Sequence, residues 1–120
     1  MKLVPLETLA QALELRRKVF KRTDKAPEII VTPGGKVFVR LKITAQDFRI
    51  SDLSGLLGMS FAKERTWSNR VRYVHDFRGM QFLVHTDLPF CDGSEFVEEM
   101  RPAKRSYYVC PIEGQDAEVR

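Results

Sequence analysis

EIIVTPGGKVFVRLKI, residues 28–43, consists of two runs rich in β-branched and aromatic residues on either side of Pro33-Gly34-Gly35. Pro33 fixes one backbone angle and the glycines admit positive φ, so the segment predicts a hairpin with strands over 28–32 and 36–43. Side chains alternate along a strand. Val37, Val39, Leu41 and Ile43 therefore share one side of the second strand, and Lys36, Phe38, Arg40 and Lys42 share the other. The first side is core. The second is basic with one aromatic, a surface suited to tracking a nucleic-acid backbone and stacking a base on Phe38.

Before the hairpin, Leu6, Leu9, Ala10, Leu13 and Phe20 recur mostly at steps of three and four behind Pro5, which predicts an amphipathic helix over 6–22. Its last turns carry Arg16, Arg17, Lys18, Lys21 and Arg22. After the hairpin, Ser51 or Asp52 caps a helix through Leu57, and Ser60 caps another to about Asn69. Strands over 70–77 and 80–86 join at Arg78-Gly79 as a second hairpin. Asp92 with Glu95 three positions on has the form of a capping box for a short helix carrying Phe96, Val97 and Met100. A last strand occupies 106–112, and 113–120 is a polar, frayed tail.

The expected fold is therefore α+β, one domain over 1–112. Its sheet is mainly antiparallel, with about five strands from two hairpins plus a last strand. An N-terminal helix, a central helix or helix-turn-helix, and a short C-terminal helix complete it.

Ile50–Trp67 resembles a helix-turn-helix. Ser54 supplies the small residue of the first helix, Gly58 the turn, Met59 the apolar residue after it, and Leu53, Leu57 and Trp67 the packing positions. The departure is Glu64-Arg65, where an aliphatic anchor belongs. With the following hairpin, the order is that of a winged helix. The resemblance implies that Ser60, Lys63, Glu64 and Arg65 lie nearest a DNA groove, with Arg70, Arg72 and Arg78 on or beside the wing.

Charge points the same way. Residues 1–80 carry 16 Lys+Arg and 8 Asp+Glu, net +8, whereas 81–120 carry 4 and 8, net −4. Such an excess attracts phosphate. At 120 residues and 43% hydrophobic content the chain can build one core, and no run approaches the roughly 20 apolar residues of a membrane span. The first ten residues lack the apolar core and cleavage site of a secretory signal, which predicts a cytoplasmic protein. In that setting Cys91 and Cys110 are expected as reduced thiols, with a disulfide between them as the alternative. Their spacing, and that of His75 and His85, fits no structural zinc site.

A catalytic pairing of thiol and imidazole needs the groups to converge. A two-residue turn at Arg78-Gly79 puts His75 opposite Phe82 and His85 opposite Arg72, on different faces; a three-residue loop puts both on one face. No catalytic residue, metal or cofactor is assigned. The expected role is non-enzymatic binding of nucleic acid through Arg16, Arg17, Lys18, Lys21, Arg22, Phe38, Arg40, Lys42, Ser60, Lys63, Arg65, Arg70, Arg72 and Arg78. The alternative is a protein-interaction or small-ligand module. In that reading the chain forms a homodimer, or a pocket lined by Tyr73, Phe77, Trp67 and Tyr108.

Overall fold

The computed structural model describes residues 5–44, 46, 49–77, 79–100 and 103–111. In chain order the elements are α1 (Leu6–Thr23), β1 (Glu28–Val31), β2 (Val37–Lys42), α2 (Ile50–Leu57), β3 (Ala62–Arg65), β4 (Arg70–Phe77), β5 (Met80–Pro89), β6 (Glu95–Glu99) and β7 (Arg105–Val109). α1 forms over the expected residues, but not with the expected face inward: Ala12, Leu15, Val19 and Thr23 make its buried stripe, whereas Leu6, Leu13 and Phe20 of the expected apolar set are exposed. Asp24 ends the helix in the left-handed conformation, donating its N–H to the Phe20 carbonyl.

β1 and β2 form the expected antiparallel hairpin, with Ile29 opposite Val39 and Val31 opposite Val37. The expected mainly antiparallel sheet is corrected, because the five-stranded sheet has the order β1-β2-β5-β4-β3 and β2 runs parallel to β5. Val37, Val39 and Leu41 of β2 and Met80, Phe82 and Val84 of β5 are all buried. Setting these two apolar strands side by side puts both under the helices, and α2, β3 and β4 supply the long crossover that a parallel pair requires. Leu15 and Val19 of α1 and Leu53 and Leu57 of α2 close over them in one core. Among the described residues no helix lies on the sheet's other side.

There are two helices among the described residues, not three. Gly58, at φ 65°, ends α2, and the expected helix over 60–69 is β3 followed by a turn. Phe61 packs edge-on against Phe82 at 5.9 Å, and Ala62–Arg65 pair with β4. Asn69 takes a left-handed φ of 58° in the turn, which Thr66 closes by donating its N–H to the Arg70 carbonyl. Without a second helix there is no helix-turn-helix and no winged-helix order. Glu64-Arg65, the misfit in that motif, are strand residues.

The expected helix after Asp92 is also a strand. Cys91 and Cys110, expected as free thiols, form a disulfide with Cα atoms 5.5 Å apart. That crosslink sets the two chain segments side by side, and β6 pairs antiparallel with β7 as a separate two-stranded sheet, Phe96 opposite Tyr108. The last strand thus adds nothing to the main sheet. An isolated two-stranded hairpin is marginal in water, and closing a loop of this length offsets about 3 kcal/mol of unfolded-chain entropy. Arg78 and the expected tail over 113–120 lie outside the described residues. No helix among those described is long and apolar enough to cross a membrane.

Candidate functional site

Strand register arranges the helix-free side of the main sheet in rows. Ile30, Phe38, Gln81 and Asp76 form one row; Glu28, Arg40, Leu83 and Val74 the next; Lys42, His85, Arg72 and Glu64 the third. Arg40, Lys42 and Arg72 stand on inner strands, whereas Glu28 and Glu64 stand on the two edge strands. Glu28 accepts from Arg40 Nη2 at 3.0 Å, and Glu64 accepts from Arg72 Nη2 at 2.6 Å. The third carboxylate, Asp76, accepts from Gln81 at 2.7 Å. Arg40 Nε is buried and has no acceptor among the described residues.

Three cations and three carboxylates thus share this face. Burial first, and then Arg72, Arg40 and Lys42, pull the His85 pKa from 6.5 down to about 4, so the half-buried imidazole is neutral at physiological pH.

The face is grooved. A cleft of about 400 Å³ is lined by Ile30, Phe38, Arg40, Arg72, Gln81, Leu83 and His85. A second, of about 210 Å³, is lined by Arg65, Thr66, Trp67, Ser68, Arg70, Arg72, His85 and Thr86. Arg72 and His85 border both clefts; Phe38 lines the first and Trp67 the second. Trp67, expected to pack against a first helix, is 74% exposed.

The other expected binding residues do not converge here. Arg16, Arg17 and Lys21 are exposed on α1, in the helix layer across the sheet. Lys18 Nζ donates to the Leu57 carbonyl at 2.9 Å and Arg22 Nη1 to the Leu56 carbonyl at 3.0 Å, so both satisfy the C-terminal carbonyls of α2. The Ser60 carbonyl meets His75 Nδ1 at 2.7 Å. Lys63 and Arg65 both lie over the Phe90 ring, at 5.4 and 5.0 Å from its centre, and Arg65 Nη2 reaches Cys91 Sγ at 2.8 Å. Arg70 donates to the Ser106 carbonyl and hydroxyl at 3.0 and 3.1 Å and lies over Tyr108 at 5.3 Å, which ties the β6–β7 hairpin to the sheet.

His85, Gln81 and Leu83 were missed, although their alternation against Met80, Phe82 and Val84 was legible. What the strand could not reveal was that β5 lies beside β2. Phe77 pairs directly with Met80, so the β4–β5 loop has two residues and the histidines fall on opposite faces, His75 opposite Phe82 and His85 opposite Arg72. The cysteines are joined to each other. Tyr73 and Phe77 face the helix layer, Trp67 stands at the corner and Tyr108 belongs to the separate hairpin, so these four form no common pocket. No three potential metal ligands cluster among the described residues. No protein-family model, curated protein or solved structure significantly matches the chain.

Proposed function

We propose that the chain binds single-stranded nucleic acid, without chemistry of its own, on the helix-free face of its five-stranded sheet. The observation that carries this reading is the pair of neighbouring clefts that share Arg72 and His85, one lined by Phe38 and the other by Trp67. These two rings offer surfaces for unstacked bases, and Arg40, Lys42 and Arg72 offer charge-assisted bonds to the phosphates that join them. A broad sheet face does not enter a duplex groove as a helix does, and the segment expected as a recognition helix is β3 and a turn. Single strands fit such a face because their bases are free to splay. The neutral His85, its pKa held down by burial and then by Arg72, Arg40 and Lys42, lies among these cations, and an anion placed there offsets their part of the shift.

Trp67 is the chain's sole tryptophan, so its fluorescence reports stacking directly. Titration with short DNA and RNA single strands is expected to quench this emission, more strongly at low salt, and a duplex of the same length is expected to bind more weakly. Trp67→Phe keeps a stacking ring and retains binding measured by anisotropy of a labelled strand. Phe38→Ala weakens binding by about 1–3 kcal/mol, the range for one stacked base. Absence of anisotropy change with any strand at low salt overturns the proposal.

A further inference from the structure

The outward side of α1 carries a second apolar stripe that the core does not use. Leu6, Leu13 and Phe20 are 83%, 56% and 50% exposed and stand seven residues apart. Seven-residue steps drift only about 20° around a helix, so the three form a single line. It lies roughly 130° around α1 from the buried line of Ala12, Leu15 and Val19. Beside this helix layer, Val31 of the edge strand β1 is 48% exposed, and it shares the face of its partner Val37, under α1. These four side chains leave much of their apolar surface in water.

The charge along the same helix selects the occupant. Glu7 and Glu14 lie in its first half, whereas Arg16, Arg17, Lys18, Lys21 and Arg22 lie in its second. Two copies of α1 laid parallel set cations against cations. Laid antiparallel about a two-fold axis near Leu13, they set Leu6 of each copy against Phe20 of the other, Leu13 against Leu13, and Glu7 of each near Arg17 and Lys21 of the other. Complementarity to the helix dipole accounts for the charge gradient by itself. It gives no reason for leucine and phenylalanine on the solvent side, and self-pairing accounts for both.

We infer that the chain forms an isologous homodimer through antiparallel contact of the Leu6–Leu13–Phe20 stripe of α1 with the same stripe of a second copy. The contact leaves the opposite, helix-free face of each sheet open. The contact is isologous, so the same residues and the same charged borders meet on both copies.

Sedimentation velocity on the full chain, from low micromolar to near-millimolar concentration, is expected to show a species of twice the 13.9 kDa chain mass. Leu13→Gln and Phe20→Gln each raise the dissociation constant at least about tenfold, with unchanged far-UV circular dichroism because both positions are exposed. Glu7→Lys weakens the dimer, as does Arg17→Glu with Lys21→Glu, and combining all three recovers it. That recovery is specific to the antiparallel arrangement. A chain that stays monomeric throughout overturns the inference, as does a dimer indifferent to Leu13→Gln or a triple variant that remains dissociated.

Discussion

His85 shows at the residue scale how burial and neighbouring cations set the charge of a side chain. His85 is pulled to a pKa of about 4 by burial and by Arg72, Arg40 and Lys42, against 6.5 when free. Between pH 6.5 and about 4 the unfolded chain binds this proton and the folded chain does not. Stability therefore falls as pH drops through that window, and the effect levels off below the folded value. Thermal unfolding followed across the window is expected to show this slope, and His85→Gln to reduce it. An NMR titration adds the site-specific measurement: His85 ring shifts stay in their neutral position down to about pH 5 and move upward in midpoint when a short single strand is bound, since its phosphates offset the three cations. An imidazole midpoint near 6.5 in the free protein contradicts the burial and the cation neighbourhood of His85.

Among the elements, α2 shows how cations of the basic helix α1 are taken up within the fold. It has eight residues and no side chain capping its N-terminus, so it is marginal alone. Lys18 and Arg22 reach across from α1 to the carbonyls of Leu57 and Leu56. Lys18→Ala and Arg22→Ala are each expected to cost about 0.5–1 kcal/mol of stability in urea unfolding, with no matching loss of oligonucleotide affinity. The β6–β7 hairpin is held differently. Cys91→Ser with Cys110→Ser is expected to remove about 3 kcal/mol from the hairpin, seen as loss of hydrogen-exchange protection over 95–109 while the protection of β2 and β5 persists. Both elements also mark where sequence was legible. The 28–43 hairpin and the extent of α1 were readable because turn chemistry and helix signals act within a few residues, whereas the buried face of α1 was not, since Leu6, Leu13 and Phe20 are exposed and Ala12, Leu15 and Val19 are inside. β3 and β6 were not, because what makes them strands is distant: the β4 edge that pairs with 62–65, and the crosslink between Cys91 and Cys110. Trp67-Ser68-Asn69 held a local clue, a tight turn with Asn at positive φ, but Ser60 also looks like a helix cap, and the nearby Leu53 and Leu57 made a second helix the more consistent pattern.

Over the whole molecule, the basic residues form separate populations because the sheet divides them. Alternation along β2 was enough to foresee that Phe38, Arg40 and Lys42 share one side, but only the parallel β2–β5 pairing brings His85 and Arg72 beside them. The same layering puts Arg16, Arg17 and Lys21 across the sheet, where no nucleic-acid strand lying on the opposite face reaches them. Net charge counts all of these alike; a bound polyanion does not. Cations contribute by touching phosphate, and more distant charges are attenuated over a Debye length of about 10 Å at moderate salt. The two populations are therefore separable by mutation. Arg40→Ala with Arg72→Ala is expected to lower single-strand affinity at least about tenfold and to flatten the dependence of log affinity on log salt by about 0.7 for each phosphate no longer neutralised. Arg16→Ala with Arg17→Ala and Lys21→Ala removes more charge, three groups against two, yet is expected to change affinity by less than about threefold at moderate salt. Both sets are measured by anisotropy at protein concentrations where wild type and variants share one oligomeric state, so that dissociation of the α1 pair does not pass for weaker binding. A larger effect from the α1 set, despite its smaller expected role, places the polyanion on the helix layer and leaves the two clefts lined by Phe38 and by Trp67 without a ligand.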